Sequence, residues 1–172
     1  MMRKAAPAGT SSRRVALLAG VGLTLSGCGF ELRQAPVFAF TTIYIGAPAN
    51  SSLGNELRRS IVSGGTVQVV GTATQAQVVL DALTDQREKV VVGLNTSGQV
   101  REFLLRRRFK FRLRTPGGKE LIAETELLQQ RDISYTESAA LAKEGEENML
   151  YRDMQSDIVQ QLMRRLAAVK TL

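Results

Sequence analysis

The sequence has no histidine and a single cysteine, Cys28, in 172 residues. Without histidine the chain cannot build a histidine triad, an imidazole acid–base relay or a Cys/His zinc site. One cysteine excludes an intramolecular disulfide. Acidic residues are absent before Glu31, whereas Arg3, Lys4, Arg13 and Arg14 all precede residue 15. That segment therefore accounts for four units of the net charge of +7, and the remainder carries a mild +3. A membrane-spanning hydrophobic run is also missing. The run Val15–Leu25 has eleven residues, and such a helix covers roughly 16 Å, about half of a bilayer core.

What is there points to one folded domain with an address in front of it. Hydrophobic residues make up 44% and charged residues 23%, a globular rather than a disordered composition. The basic stretch followed by Val15–Leu25 has the order of a secretory signal. Directly after it stands Leu25-Ser26-Gly27-Cys28, which resembles the bacterial lipobox: an apolar residue, two small residues that let extended backbone enter a peptidase, and a thiol that accepts diacylglycerol. The expectation is a signal peptide over 1–27, a tether over 28–40 and a single domain over 41–172. Cys28 would carry diacylglycerol and an N-acyl chain, and no other cofactor is expected. Acyl chains contribute about 0.8 kcal/mol per buried methylene, enough for two or three to hold a protein on a leaflet. Gly29 follows the cysteine where bacterial lipoproteins kept at the inner membrane have aspartate, so the outer membrane is the expected destination.

Thr41-Thr42-Ile43-Tyr44-Ile45 is β-branched and aromatic, the composition of a strand. Ser51 and Ser52 can cap a helix with Leu53, Leu57 and Ile61 on one face, stopped by Gly64-Gly65. Thr66–Val70 reads as a short strand. Gln77–Leu94 reads as one long strand or two short ones, broken at the charged stretch Asp85–Lys89, and Asn95-Thr96-Ser97-Gly98 has turn chemistry.

The firmest periodicity follows. Odd positions read Phe103, Leu105, Arg107, Phe109, Phe111, Leu113, and even positions read Arg106, Arg108, Lys110, Arg112, Arg114. Alternation of this kind specifies a strand with one core face and one wet cationic face, and Arg107 would mark where the core face ends. Pro116-Gly117-Gly118 turns the chain into a strand with Leu121, Ala123, Thr125 and Leu127 on one face and Glu120, Ile122, Glu124 and Glu126 on the other. A three-residue loop opposes Thr115 and Lys119 and puts both apolar rows on one side. In that register Arg114 faces Glu120, Lys110 faces Glu124 and Arg108 faces Glu126, leaving Arg106 and Arg112 without acidic partners.

Ser134-Tyr135-Thr136-Glu137 matches a capping box. It precedes a helical stripe of Leu141, Leu150, Met154, Ile158, Leu162, Leu166 and Val169. The predicted architecture is α+β, with two helices packed on one face of a mixed four- to five-stranded sheet.

Several segments together resemble the LptE family of lipopolysaccharide-assembly lipoproteins. They are Cys28-Gly29-Phe30-Glu31-Leu32-Arg33, Arg101-Glu102-Phe103, and the stretch from Arg131-Asp132-Ile133-Ser134-Tyr135 through Ala140-Leu141-Ala142-Lys143-Glu144 to Gln160-Gln161-Leu162-Met163-Arg164-Arg165-Leu166. The resemblance implies a non-enzymatic role, with the protein seated in an outer-membrane β-barrel of the LptD type. It also implies that the protein helps the barrel assemble and binds lipopolysaccharide. The family's ligand-contacting lysine in Ala-Leu-Ala-Lys corresponds to Lys143. The family's other implicated basic residue lies in the turn before the central strand, which here is Asn95–Gly98 with no cation before Arg101.

The arginine strand admits two readings: arginine binds phosphate bidentately, or the face is merely solvated and paired to Glu120, Glu124 and Glu126. Arg106 and Arg112 are the ligand candidates on the strand, beside Lys143. The expected contacts are thus an LptD-like barrel, lipopolysaccharide, and the inner leaflet of the outer membrane through the anchor. A nucleic-acid partner would need a cytoplasmic chain, which a signal sequence excludes. The competing reading is an auxiliary lipoprotein subunit of a phospholipid transporter, and a third is a structural envelope lipoprotein without a ligand.

Overall fold

The computed structural model describes residues 36–172. Cys28 and the signal and tether segments up to residue 35 lie outside the described residues. The elements are β1 (Thr42–Gly46), α1 (Ser52–Ser63), β2 (Gln68–Val69), β3 (Val78–Leu94), β4 (Val100–Arg114), β5 (Glu120–Ser134) and α2 (Ala140–Ala168), with 3₁₀ turns at Ala73–Gln75 and Glu137–Ala139. The five strands form one sheet in the order β2-β1-β3-β4-β5. β1 is parallel to both its neighbours, and β3, β4 and β5 form an antiparallel meander. This is the expected α+β class.

Local chemistry sets the first half. Ile43 and Ile45 point into the core while Tyr44 between them does not, the alternation of a half-buried strand. The Ser51 hydroxyl accepts from the Gly54 N–H at 3.0 Å and caps α1, whose Leu53, Leu57 and Ile61 are buried. A Cβ on Gly54 would lie 2.9 Å from that of Ala47, so only glycine lets the helix start this close to β1. Gly65, at φ +72°, turns the chain out of the helix.

β3 is a single 17-residue strand, and β1 covers only its first part, pairing as far as Asp81. From Ala82 to Leu94 no described strand lies beside β3 on that side. The β4–β5 loop has the expected length, with the Thr115 N–H donating to the Lys119 carbonyl at 2.8 Å. Arg114 faces Glu120, but two irregularities then slip the pairing by two residues, so Lys110 faces Glu126 and Arg108 faces Leu128. A slip of two preserves facing, and the apolar rows stay together. The bulged stretch lets both Leu121 and Ile122 pack against the core, which strict alternation forbids.

The main core joins Ile43, Leu57, Leu80, Phe111, Ile158 and Leu162, so both helices pack on one face of the sheet. Arg107 does not end the core face. It is 1% exposed, and beyond it Leu105, Ile133, Tyr151 and Met154 form a second apolar cluster. Its Nη2 donates to Asp85 Oδ1 at 3.0 Å, and Ser51 Oγ also reaches Asp85, at 3.3 Å. Burial pushes the guanidinium pKa down, and Asp85 opposes that shift. A polar seam accompanies it between the helices: Ser52 Oγ donates to Gln155 Oε1 at 2.7 Å, and Gln155 and Ser156 both donate to Glu56.

Two expectations for α2 fail. The capping box does not form, because Ser134 is still paired with Glu102 as the last residue of β5, and the helix starts at Ala140 with no side-chain cap. Leu141 is 87% exposed rather than part of the buried stripe. The first buried residue of α2 is Tyr151, whose hydroxyl donates to the Glu88 carbonyl at 2.7 Å. Burial raises the pKa of that phenol, with Glu147 adding to the effect.

Candidate ligand-binding surface

The overhanging start of α2 roofs a groove of about 390 Å³ against the far end of the meander, lined by Lys89, Phe103, Ser134, Tyr135, Lys143 and Glu147 among others. Lys143 Nζ donates to Ser134 Oγ at 3.1 Å and to Glu146 Oε2 at 2.8 Å, and its side chain is 21% exposed. Across the groove Lys89 Nζ lies 2.6 Å from Glu147 Oε2 and 4.2 Å from the centroid of Phe103. Phe103 meets Tyr135 edge to face at 5.3 Å. The groove therefore holds two ammonium groups, each steadied by a glutamate, over an aromatic floor. An anionic group entering here would compete with Glu146 and Glu147 for those cations, while a sugar ring could lie on the aromatic pair. Lys89 is the residue that sequence reading missed. Its signal was present, since the meander's alternation puts it on the helix side opposite Leu105, but that needs the β3–β4 register.

The arginine row of β4 lies on the opposite, helix-free face. Arg108 reaches Glu88 at 3.5 Å and Glu126 at 3.4 Å, and Lys110 reaches Glu124 at 3.5 Å and Glu126 at 3.9 Å. The expected acidic partners of both are thus met, though by diagonal reach. Arg114 pairs with Asp81 at 2.8 Å instead of Glu120. Arg112, expected to lack a partner, donates from Nε to the same Asp81 oxygen at 2.8 Å. The acid comes from β3, on the side of β4 that the hairpin does not describe. Arg106 alone of the row makes no ion pair or hydrogen bond among the described residues, and its Nε is buried without a partner. The structure thus separates the three candidates: Lys143 in the groove, Arg106 and Arg112 on the other face.

Hydrogen bonds from Arg114 and Arg112 hold the Asp81 carboxyl below the ordinary aspartate range, against a smaller desolvation effect. A depressed carboxyl stabilises the fold above its unfolded pKa of about 3.9 and loses that contribution as pH falls through the folded value. Asp81→Asn should therefore be less stable than the parent at about pH 5, with the gap closing towards about pH 2. Denaturant titrations at both pH values check this, and a gap that widens on acidification contradicts the pairing.

Among the described residues no three or more Asp, Glu, Cys or His side chains are placed to hold a metal ion. No described helix is long and apolar enough to cross a membrane. The fold and the surface define a class: a two-layer α+β domain with a groove of paired lysines and glutamates on its helix side and an open charged sheet face. The chain belongs to the family described as LptE, lipopolysaccharide-assembly, whose model matches residues 40–166. It is similar to the solution structure of lipoprotein B from Nitrosomonas europaea, at 38% identity and a TM-score of 0.71, covering 81% of this chain and 91% of that one. Rare lipoprotein B of Shewanella oneidensis shares the fold at 24% identity and a TM-score of 0.63, covering 74% of this chain and 95% of that one. A minor lipoprotein of Acinetobacter baumannii does so at 19% identity and 0.61, covering 77% and 94%. No curated protein sequence matches. The chain is thus a membrane-associated lipoprotein of lipopolysaccharide assembly.

Proposed function

We propose that this lipoprotein works at the outer membrane with a β-barrel partner of the LptD type, helps that barrel assemble, and binds lipopolysaccharide itself without catalysing a reaction. Residues 1–27 act as the signal, and Cys28 carries diacylglycerol and an N-acyl chain that holds the domain over 41–172 on the inner leaflet. The observation that carries the reading is the groove at Lys143. The lysine that corresponds to the family's ligand-contacting lysine is held by Ser134 and Glu146, next to Lys89 and the Phe103–Tyr135 pair. Ammonium groups over an aromatic floor suit a phosphorylated sugar. Arg112 remains a ligand residue only where a phosphate displaces Asp81 from it.

Two measurements test this. Gentle detergent capture of the lipidated protein from outer membranes should recover one large β-barrel in equal amount. Recovery of inner-membrane transporter subunits would replace the reading with phospholipid transport. Lys143→Glu should weaken lipopolysaccharide binding about tenfold, the cost of one charge-assisted contact, while lost pairing with Glu146 lowers stability by no more than about 1 kcal/mol. Unchanged affinity would remove Lys143 from the site, and binding to phospholipid but not to lipopolysaccharide would favour the transporter.

A further inference from the structure

The helix-free face of the meander holds one cation that no acid matches, beside uncovered apolar side chains. Along β4 that face presents Leu104, Arg106, Arg108, Lys110, Arg112 and Arg114, because the odd positions between them fill the core. The last four cations are matched by Glu88, Glu126, Glu124 and Asp81. Arg106 is not. Glu88, directly across on β3, is taken by Arg108, and the residue across on β5 is the neutral Gln130. Asp132, diagonal to Arg106 on β5, makes no ion pair with it.

Around this cation the face turns apolar. Leu104 precedes Arg106 on the same face of β4 and faces Val90 on β3, and Leu128 lies one pair away on β5, facing Arg108. Val90 is 40% exposed, Leu128 40% and Val92, further along β3, 51%. No described element covers them. A guanidinium with an unused N–H, set among uncovered aliphatic side chains, matches a ligand with an anionic head and a hydrocarbon chain. Inorganic phosphate would leave the apolar residues in water, and plain hydrocarbon would leave the guanidinium unpaired.

We propose that this patch binds a phosphate-bearing acyl lipid, the phosphate on Arg106 and an acyl chain across Val90, Leu104 and Leu128. The site rests on the lipid-binding reading above but lies on the other side of the sheet from Lys143, so the two contribute separately.

The test uses the full chain and two probes, bisphosphorylated lipid A and the same lipid with both phosphates removed. Arg106→Gln should weaken binding of the phosphorylated probe about tenfold and of the dephosphorylated probe by less than about twofold. Arg106→Lys, which keeps the charge but loses the planar fork, should fall between. Leu128→Gln should weaken both probes by a similar factor, and Arg108→Gln, removing a cation that already has acids, should change neither by more than about twofold. The Arg106→Gln loss at this patch should persist undiminished in the Lys143→Glu background, because the two sites lie on opposite faces of the sheet. Equal losses for Arg106→Gln and Arg108→Gln would overturn the site, as would an Arg106→Gln loss that ignores the phosphates or vanishes in the Lys143→Glu background. If Lys143→Glu weakens binding and Arg106→Gln does not, this site alone fails. If the parent chain binds neither probe, the lipid-binding reading fails with it, and the patch is left as a protein interface.

Discussion

Asp85→Ala should destabilise the domain by about 3 kcal/mol, whereas Arg107→Met should change its stability by no more than about 1 kcal/mol. The asymmetry follows from where the two charges sit. The Arg107 side chain is 2% exposed and that of Asp85 is 27% exposed. Removing the carboxylate strands a positive charge between two apolar clusters. Removing the arginine leaves Asp85 at the surface with Ser51 still in reach. The arginine is already poorly served, since its Nε and Nη1 have no partner, so an apolar side chain of similar length forfeits little. Urea titrations of both variants give the comparison. A larger loss for Arg107→Met than for Asp85→Ala would mean that the pair stabilises the fold outright.

The second large effect is in the core. Phe111 is fully buried and stacks on Phe109, with ring centres 6.0 Å apart. Phe111→Ala should cost about 3–5 kcal/mol, the usual penalty for emptying an aromatic site that cannot collapse. Phe111→Leu should recover most of it, because the site needs volume more than aromaticity. Equilibrium unfolding checks both, and a cost below about 1 kcal/mol for the alanine variant would put Phe111 on the wet face.

Face assignment was legible in the sequence because alternation is a local property. Phe109, Phe111, Leu113 and Leu127 all point where the period of two sends them. Register was not, because each bulge in β5 adds a residue without any mark in the sequence that alternation can detect. Two bulges restore the facing, so the core matches the expectation while the charges have moved along by one pair. The same limit hid Asp81 as the partner of Arg112. The alternating hairpin specifies β5 on one side of β4 and says nothing about β3 on the other. At Arg107 a charge in an apolar row read as the edge of the core, and only the fold brings Asp85 to it. The Ser-x-x-Glu match before α2 failed because strand pairing of Ser134 outweighs a cap worth about 1 kcal/mol. The groove was legible only in part: Lys143 came from resemblance, while Lys89 needed the long β3 to be one strand.

The placement of β1 has a consequence in the order of assembly. It is a five-residue strand held on both sides by parallel partners, and neither can be reached through a tight turn. Its pairing with β3 joins Ile43 to Val78, a long loop to close, whereas the meander closes through turns of a few residues. Hairpins form in microseconds, and long-range parallel pairing is slower. During synthesis β1 and α1 nonetheless leave the ribosome first. They wait, with Ile43, Ile45, Leu53 and Leu57 unburied, until the strand that shelters them has been made. The described N-terminal elements thus complete their fold only after β3 exists, so this half of the domain depends on the meander for its assembly.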